Sequence, residues 1–144
     1  MVIVTKKCYR KITSFFSDSS KEHIGLIGAR KKMWIVSDFS EAESFNEKDF
    51  CVPDKMLLNE TINNWADNNI CFCGIVHSHI GGSMALSQND VDYIQKTLIL
   101  FRHLPYMFFP IVSFEKDKQI ITFYRCRLKK QKLSIKNEKL ILRC

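Results

Sequence analysis

Eight consecutive residues, Ile70-Cys71-Phe72-Cys73-Gly74-Ile75-Val76-His77, hold no charged group and no strongly polar side chain before the final histidine. A segment apolar at both odd and even positions cannot leave one side in water, so it is expected as a strand covered on both faces. Asn68 and Asn69 stop what precedes it, and Gly81-Gly82 begin a glycine-rich loop after it. The covers are legible on either side. Before the strand, Pro53 suits the first turn of a helix, and Leu58, Ile62, Trp65 and Ala66 form one apolar stripe. After it, Ser87 opens a second helix in which Val91, Ile94, Leu98 and Phe101 keep a three-four rhythm as far as Pro105. Helix, buried strand and helix together predict an α/β architecture with helices packed on a sheet.

The other segments add strands to that sheet. Residues 1–5 read as a short strand, and a short helix from Ile12 to Phe16 is broken by the Ser/Asp cluster at 17–20. His23–Ala29 and Met33–Phe39 form a hairpin around the basic turn Arg30-Lys31-Lys32. From Ser40 to Val52 the acids Glu41, Glu43, Glu47 and Asp49 face only Lys48 without a period, which predicts an exposed loop, either solvated or open to a partner. Tyr106–Phe114 and Gln119–Leu128 are expected as strands joined at Lys116-Asp117-Lys118, with Pro110 marking an edge or a bulge, and residues 133–143 as a final hairpin. With 144 residues, 46% of them hydrophobic, the chain fits one domain spanning 1–144, the strands of 119–144 included.

The net charge of +7 is local. Residues 1–124 hold 14 basic and 14 acidic side chains, whereas 125–144 hold eight basic residues against Glu138 alone. Because those cations alternate with Leu128, Leu133, Ile135, Leu140 and Leu142, the segment reads either as a solvated strand face or as a patch for an anionic partner, and nucleic acid is not the expected ligand. Six cysteines without a C-x-x-C pair, no run of eighteen apolar residues, and lysines placed after the first apolar residues predict a reduced cytoplasmic protein without a membrane partner. Oligomeric state has no signature.

Chemistry is concentrated in Val76-His77-Ser78-His79-Ile80-Gly81-Gly82-Ser83-Met84-Ala85-Leu86-Ser87-Gln88-Asn89-Asp90. Residues two apart on a strand project the same way, so His77 and His79 can meet one metal ion. Asp90 lies in the first turn of the next helix, and the glycine loop can fold that turn back over the strand end. Two histidines and a carboxylate leave the fourth tetrahedral position of Zn²⁺ for water, the pattern of a catalytic site. Glu22, opening the strand Glu22-His23-Ile24-Gly25-Leu26-Ile27-Gly28, is the candidate general base, and Ser87 the candidate oxyanion donor. Each has a plainer reading too. Ser87-x-x-Asp90 is a good helix cap, lone histidines at a sheet end are common, and a Glu at a strand start is usually solvated. Cys71 and Cys73 share the parity of His77 on a regular strand, but Cys73 lies roughly 13 Å away at about 3.3 Å per residue, so core packing is expected for both.

Together these residues resemble the signature of the JAMM, or MPN-plus, metallopeptidases: an upstream Glu, His-x-His, seven residues, Ser, two residues, Asp. Positions 77, 79, 87 and 90 fall in register, and Glu22-His-Ile-Gly-Leu-Ile-Gly is similar to the family's Glu segment. The chain departs at Ile80 and Leu86, where many members carry Pro; neither position is a ligand. The resemblance covers about residues 1–125 and implies the MPN fold, a mixed curved sheet flanked by helices, and one catalytic Zn²⁺ held by His77, His79 and Asp90. It implies, too, a deubiquitinase-like isopeptidase acting at the carboxyl-terminal tail of a ubiquitin-like or sulfur-carrier protein. The other functions to weigh are a non-catalytic scaffold binding through the basic segment and a hydrolase of small amides.

Overall fold

The computed structural model describes residues 1–18, 20–42, 44–47, 50–53, 55–80 and 85–144. In chain order the elements are β1 (Val2–Thr5), α1 (Lys6–Phe15), β2 (Ile24–Ala29), β3 (Ile35–Ala42), β4 (Ser44–Glu47), β5 (Phe50–Pro53), α2 (Lys55–Asp67) and β6 (Cys71–Ser78). Then come α3 (Gln88–Leu100), β7 (Met107–Phe108), β8 (Ile111–Glu115), β9 (Lys118–Lys129), β10 (Lys132–Glu138) and β11 (Leu140–Arg143). Among the described residues they make a nine-stranded mixed sheet in the order β10-β9-β7-β6-β2-β3-β1-β11, with β8 between β6 and β9 beyond β7, and a separate β4-β5 hairpin. No helix among these residues is long and apolar enough to cross a membrane.

The sheet curls strongly. β10 and β11 stand at opposite ends of the strand order, yet only Lys139 separates them in sequence. Consecutive Cα atoms lie about 3.8 Å apart, so the two edges must meet at that corner. The expected hairpin over 133–143 is therefore corrected: β10 pairs antiparallel with β9, while β11 runs parallel to β1 on the far edge. A run of alternating residues reports strand character but not which edge receives it.

Apolar side chains fill both faces. On one, Cys8, Ile12 and Phe16 of the α1 region pack with Val4, Ile27, Cys73, Val76 and Phe123. On the other, Trp65 of α2 and Ile94 and Leu98 of α3 pack with Leu26, Phe72, Ile75 and Phe109. Each fully buried Ile or Phe contributes about 1.5–3 kcal/mol, so the sheet is held from two sides. The first helix is longer than the sequence suggested, because Thr5 caps it by accepting from the Cys8 N–H at 3.2 Å. Its other end is tied down by Gln119, whose amide donates to the carbonyls of Thr13 and Phe16 at 2.8 and 2.7 Å.

Three further expectations change. Within 40–52, β3 continues to Ala42 and β4 pairs with β5, so the stretch is largely strand rather than loop; Glu43, Lys48 and Asp49 lie outside the described residues. Pro53 ends β5 instead of opening α2, a position where its missing N–H costs little. Pro110 splits the strand expected over 106–114 into β7 and β8, and because both lie between β6 and β9 the proline marks an interior break rather than a sheet edge. The tight turn at Lys116 and Asp117 uses two residues of positive φ, 49° and 64°, a type I′ geometry that matches strand twist.

Candidate metal centre

The strand β6 positions the histidines. The N–H of His77 donates to Pro110 at 3.2 Å and that of His79 to Val112 at 2.9 Å, so both backbones lean on the β8 side while their rings share the α3 face. That face is fixed by register: Ile24, the antiparallel partner of His77, belongs to the α2/α3 core. Lower on β6 the pairing skips Cys73 between Ile27–Gly74 and Gly28–Phe72. This β-bulge reverses the parity below it. Cys73 therefore packs on the α1 face, opposite the imidazoles, and Cys71 at the strand start is exposed. The shared parity expected from a regular strand is thus corrected for Cys73, and the expected core position is corrected for Cys71. Next to the bulge, Gly74 lets β7 come close, since a Cβ there would stand 2.0 Å from the Phe108 carbonyl oxygen.

The helix α3 supplies the third group. Ser87 is its N-cap: its hydroxyl accepts from the Asp90 N–H at 3.1 Å, and the Asp90 carboxylate accepts from the Ser87 N–H at 2.8 Å. The same carboxylate reaches both rings, Oδ1 lying 3.2 Å from Nε2 of His77 and Oδ2 3.1 Å from Nε2 of His79. The two Nε2 atoms are 3.0 Å apart. The glycine loop expected to bring strand and helix together, Gly81–Met84, lies outside the described residues.

Three potential ligand atoms thus converge, all within 4.8 Å of one another, and His77, His79 and Asp90 form a group that can hold a metal ion. The donor set fits one. Tetrahedral bonds of about 2.0–2.1 Å separate neighbouring ligand atoms by about 3.3 Å, within a few tenths of the distances here. Partial burial pushes the Asp90 carboxyl up, but hydrogen bonds with His77 and His79 outweigh it and hold the group well below the usual carboxylate range. A carboxylate that stays ionised beside two imidazoles is prepared for a cation.

The cluster opens into a cleft of about 430 Å³ whose lining includes Glu22, Ser87 and Asn89 beside the apolar Ile24, Ile75 and Tyr93. Glu22 precedes β2, two residues before Ile24, the partner of His77, and lines the same cleft as both histidines. The five residues singled out in the sequence therefore line one cleft. Asn89 and Tyr93 were not foreseen. Both sit beside Asp90 on α3, so helical spacing from the ligand was the available signal.

No family model matches the chain, and no curated protein matches it in sequence. Solved structures do match in shape. One is the solution structure of protein DSY2949 from Desulfitobacterium hafniense, with a TM-score of 0.74 at 19% identity over 99% of this chain and 93% of that one. The two share a fold. At this identity the likeness extends to the mixed α/β architecture, a large sheet flanked by helices, and not to the chemistry of the cleft.

Proposed function

We propose that the chain is a zinc-dependent isopeptidase or peptidase of the JAMM type on an MPN fold, cleaving at the carboxyl-terminal tail of a ubiquitin-like or sulfur-carrier protein. One observation carries the reading: His77, His79 and Asp90 converge on a point in a cleft that Glu22 and Ser87 also line. His77, His79 and Asp90 would hold the zinc ion. Bound there, zinc would supply a water of lowered pKa and polarise the scissile carbonyl.

The remaining work falls to the chain's own side chains. Glu22 takes the proton from the attacking water and delivers it to the leaving amine, the role of a general base that becomes a general acid. Ser87 has its oxygen occupied by the Asp90 N–H, so its own O–H is free to donate to the oxyanion that develops at the substrate carbonyl. An extended tail would run past the three ligands along the cleft.

Purified protein is expected to contain about one zinc per chain and to cleave a ubiquitin-fold protein fused through its tail to a reporter. Glu22→Ala should keep the zinc and lower kcat by roughly 10²- to 10⁴-fold. Full activity in that variant would refute the base assignment, and a protein that binds no zinc would refute the reading as a whole.

A further inference from the structure

Beside the metal cluster the β2–β6 ladder ends irregularly. Past the regular Ile24–His77 pair, the Ser78 N–H donates to the His23 carbonyl at 3.0 Å. The reciprocal bond takes another acceptor: the His23 N–H donates to the Ser78 hydroxyl at 2.8 Å, where a regular antiparallel pair would use the Ser78 carbonyl. On its other side β6 keeps its regular bonds, the N–H groups of His77 and His79 donating to Pro110 and Val112. The Ser78 side chain is 1% exposed and alternates with those of His77 and His79, so it points away from the cleft. The bond it makes ties the two walls together beside the cleft.

We infer that Ser78 is a positioning residue whose buried hydroxyl fixes the peptide next to Glu22 and so sets the reach of that carboxylate. The inference rests on Glu22 acting as the base. The hydroxyl takes the place of the Ser78 carbonyl as acceptor and keeps the His23 amide, the peptide next to Glu22, bonded to β6. Without it, that amide loses its acceptor, and the peptide next to Glu22 loses a bond that helps to place it. A displacement of about 1 Å at a reacting group can cost on the order of a hundredfold in rate.

The test uses the zinc-loaded full chain and the ubiquitin-fold fusion as probe. Ser78→Ala should lower kcat by roughly ten- to a hundredfold, leave KM and zinc content within about twofold, and speed hydrogen exchange of the His23 amide. Ser78→Thr, which keeps the hydroxyl, should restore kcat. Ser78→Cys keeps the volume with a weaker acceptor and should be intermediate, so it decides the matter if Ser78→Ala does not fold. Unchanged kcat in Ser78→Ala or Ser78→Cys would overturn the inference, as would a fall in kcat that follows loss of zinc. An unsubstituted protein that binds zinc but cleaves nothing, or a fully active Glu22→Ala, would overturn the underlying reading as well. An active parent with an indifferent Ser78 overturns the positioning role alone.

Discussion

Asp90 and Glu138 are both largely buried carboxylates, yet they are partnered in opposite ways. The Glu138 side chain, 2% exposed, faces the Arg125 guanidinium at 2.9 Å and the amino group of Met1, two cationic groups. The Asp90 side chain, 15% exposed, faces two imidazoles and, among the described residues, no Lys or Arg. Glu138 has its charge matched by cations, though its Oε1 meets Arg125 as an ion pair without a hydrogen bond, and stands where the curled sheet brings β10 round to β11. Asp90 has hydrogen-bonding partners without a fixed positive charge, which is what a metal ligand needs. Burial alone does not distinguish a structural acid from a functional one; the identity of the partners does.

The largest effect is expected where the comparison can be broken outright. Asp90→Asn keeps the shape and the capping geometry but removes the charge. Zinc content should fall from about one per chain towards zero, and turnover by a thousandfold or more, on the order of 4 kcal/mol in the barrier. Retention of both metal and activity would make Asp90 an ordinary helix-capping acid and dissolve the contrast with Glu138.

At the other pole, Arg125→Met strips a guanidinium from a buried acid. Removing one member of such a pair typically costs several kcal/mol; with the Met1 amino group still present, about 3 kcal/mol is expected. Urea unfolding should show the loss, while zinc content and kcat measured on folded protein should not change. A parallel fall in zinc binding would mean that the two acids belong to one coupled network.

The same contrast explains what could be read in advance. His77, His79 and Asp90 were legible because ligand chemistry demands particular residue types at particular spacings, and β6 and α3 because their apolar patterns are dense. The Glu138–Arg125 pair was not. It is a diagonal contact across β9 and β10, a pairing missed when 133–143 was expected to fold on itself, and its second cation, the Met1 amino group, arrives only with β1 beside β11. Cys73 failed for a related reason: parity counted along a strand assumes no bulge, and the skipped residue shows only in the pairing of β6 with β2. The start of α1 was missed because two lysines obscure a Thr5 cap whose partner is a backbone N–H.

The smallest effect separates the two roles of Ser87. As N-cap it accepts from Asp90, and as a hydroxyl it has a proton to give to the substrate. Glycine is a tolerable N-cap, costing a few tenths of a kcal/mol where alanine costs about 1, but it has nothing to donate. Ser87→Gly should therefore leave zinc content and unfolding midpoint nearly unchanged while lowering kcat by about a hundredfold, the low end of what a lost oxyanion donor costs. If kcat holds and stability falls, Ser87 only fastens α3 and holds Asp90 in place, and oxyanion stabilisation must come from elsewhere in the cleft. Asn89, which lines the same cleft one residue before Asp90, would then be the next side chain to substitute.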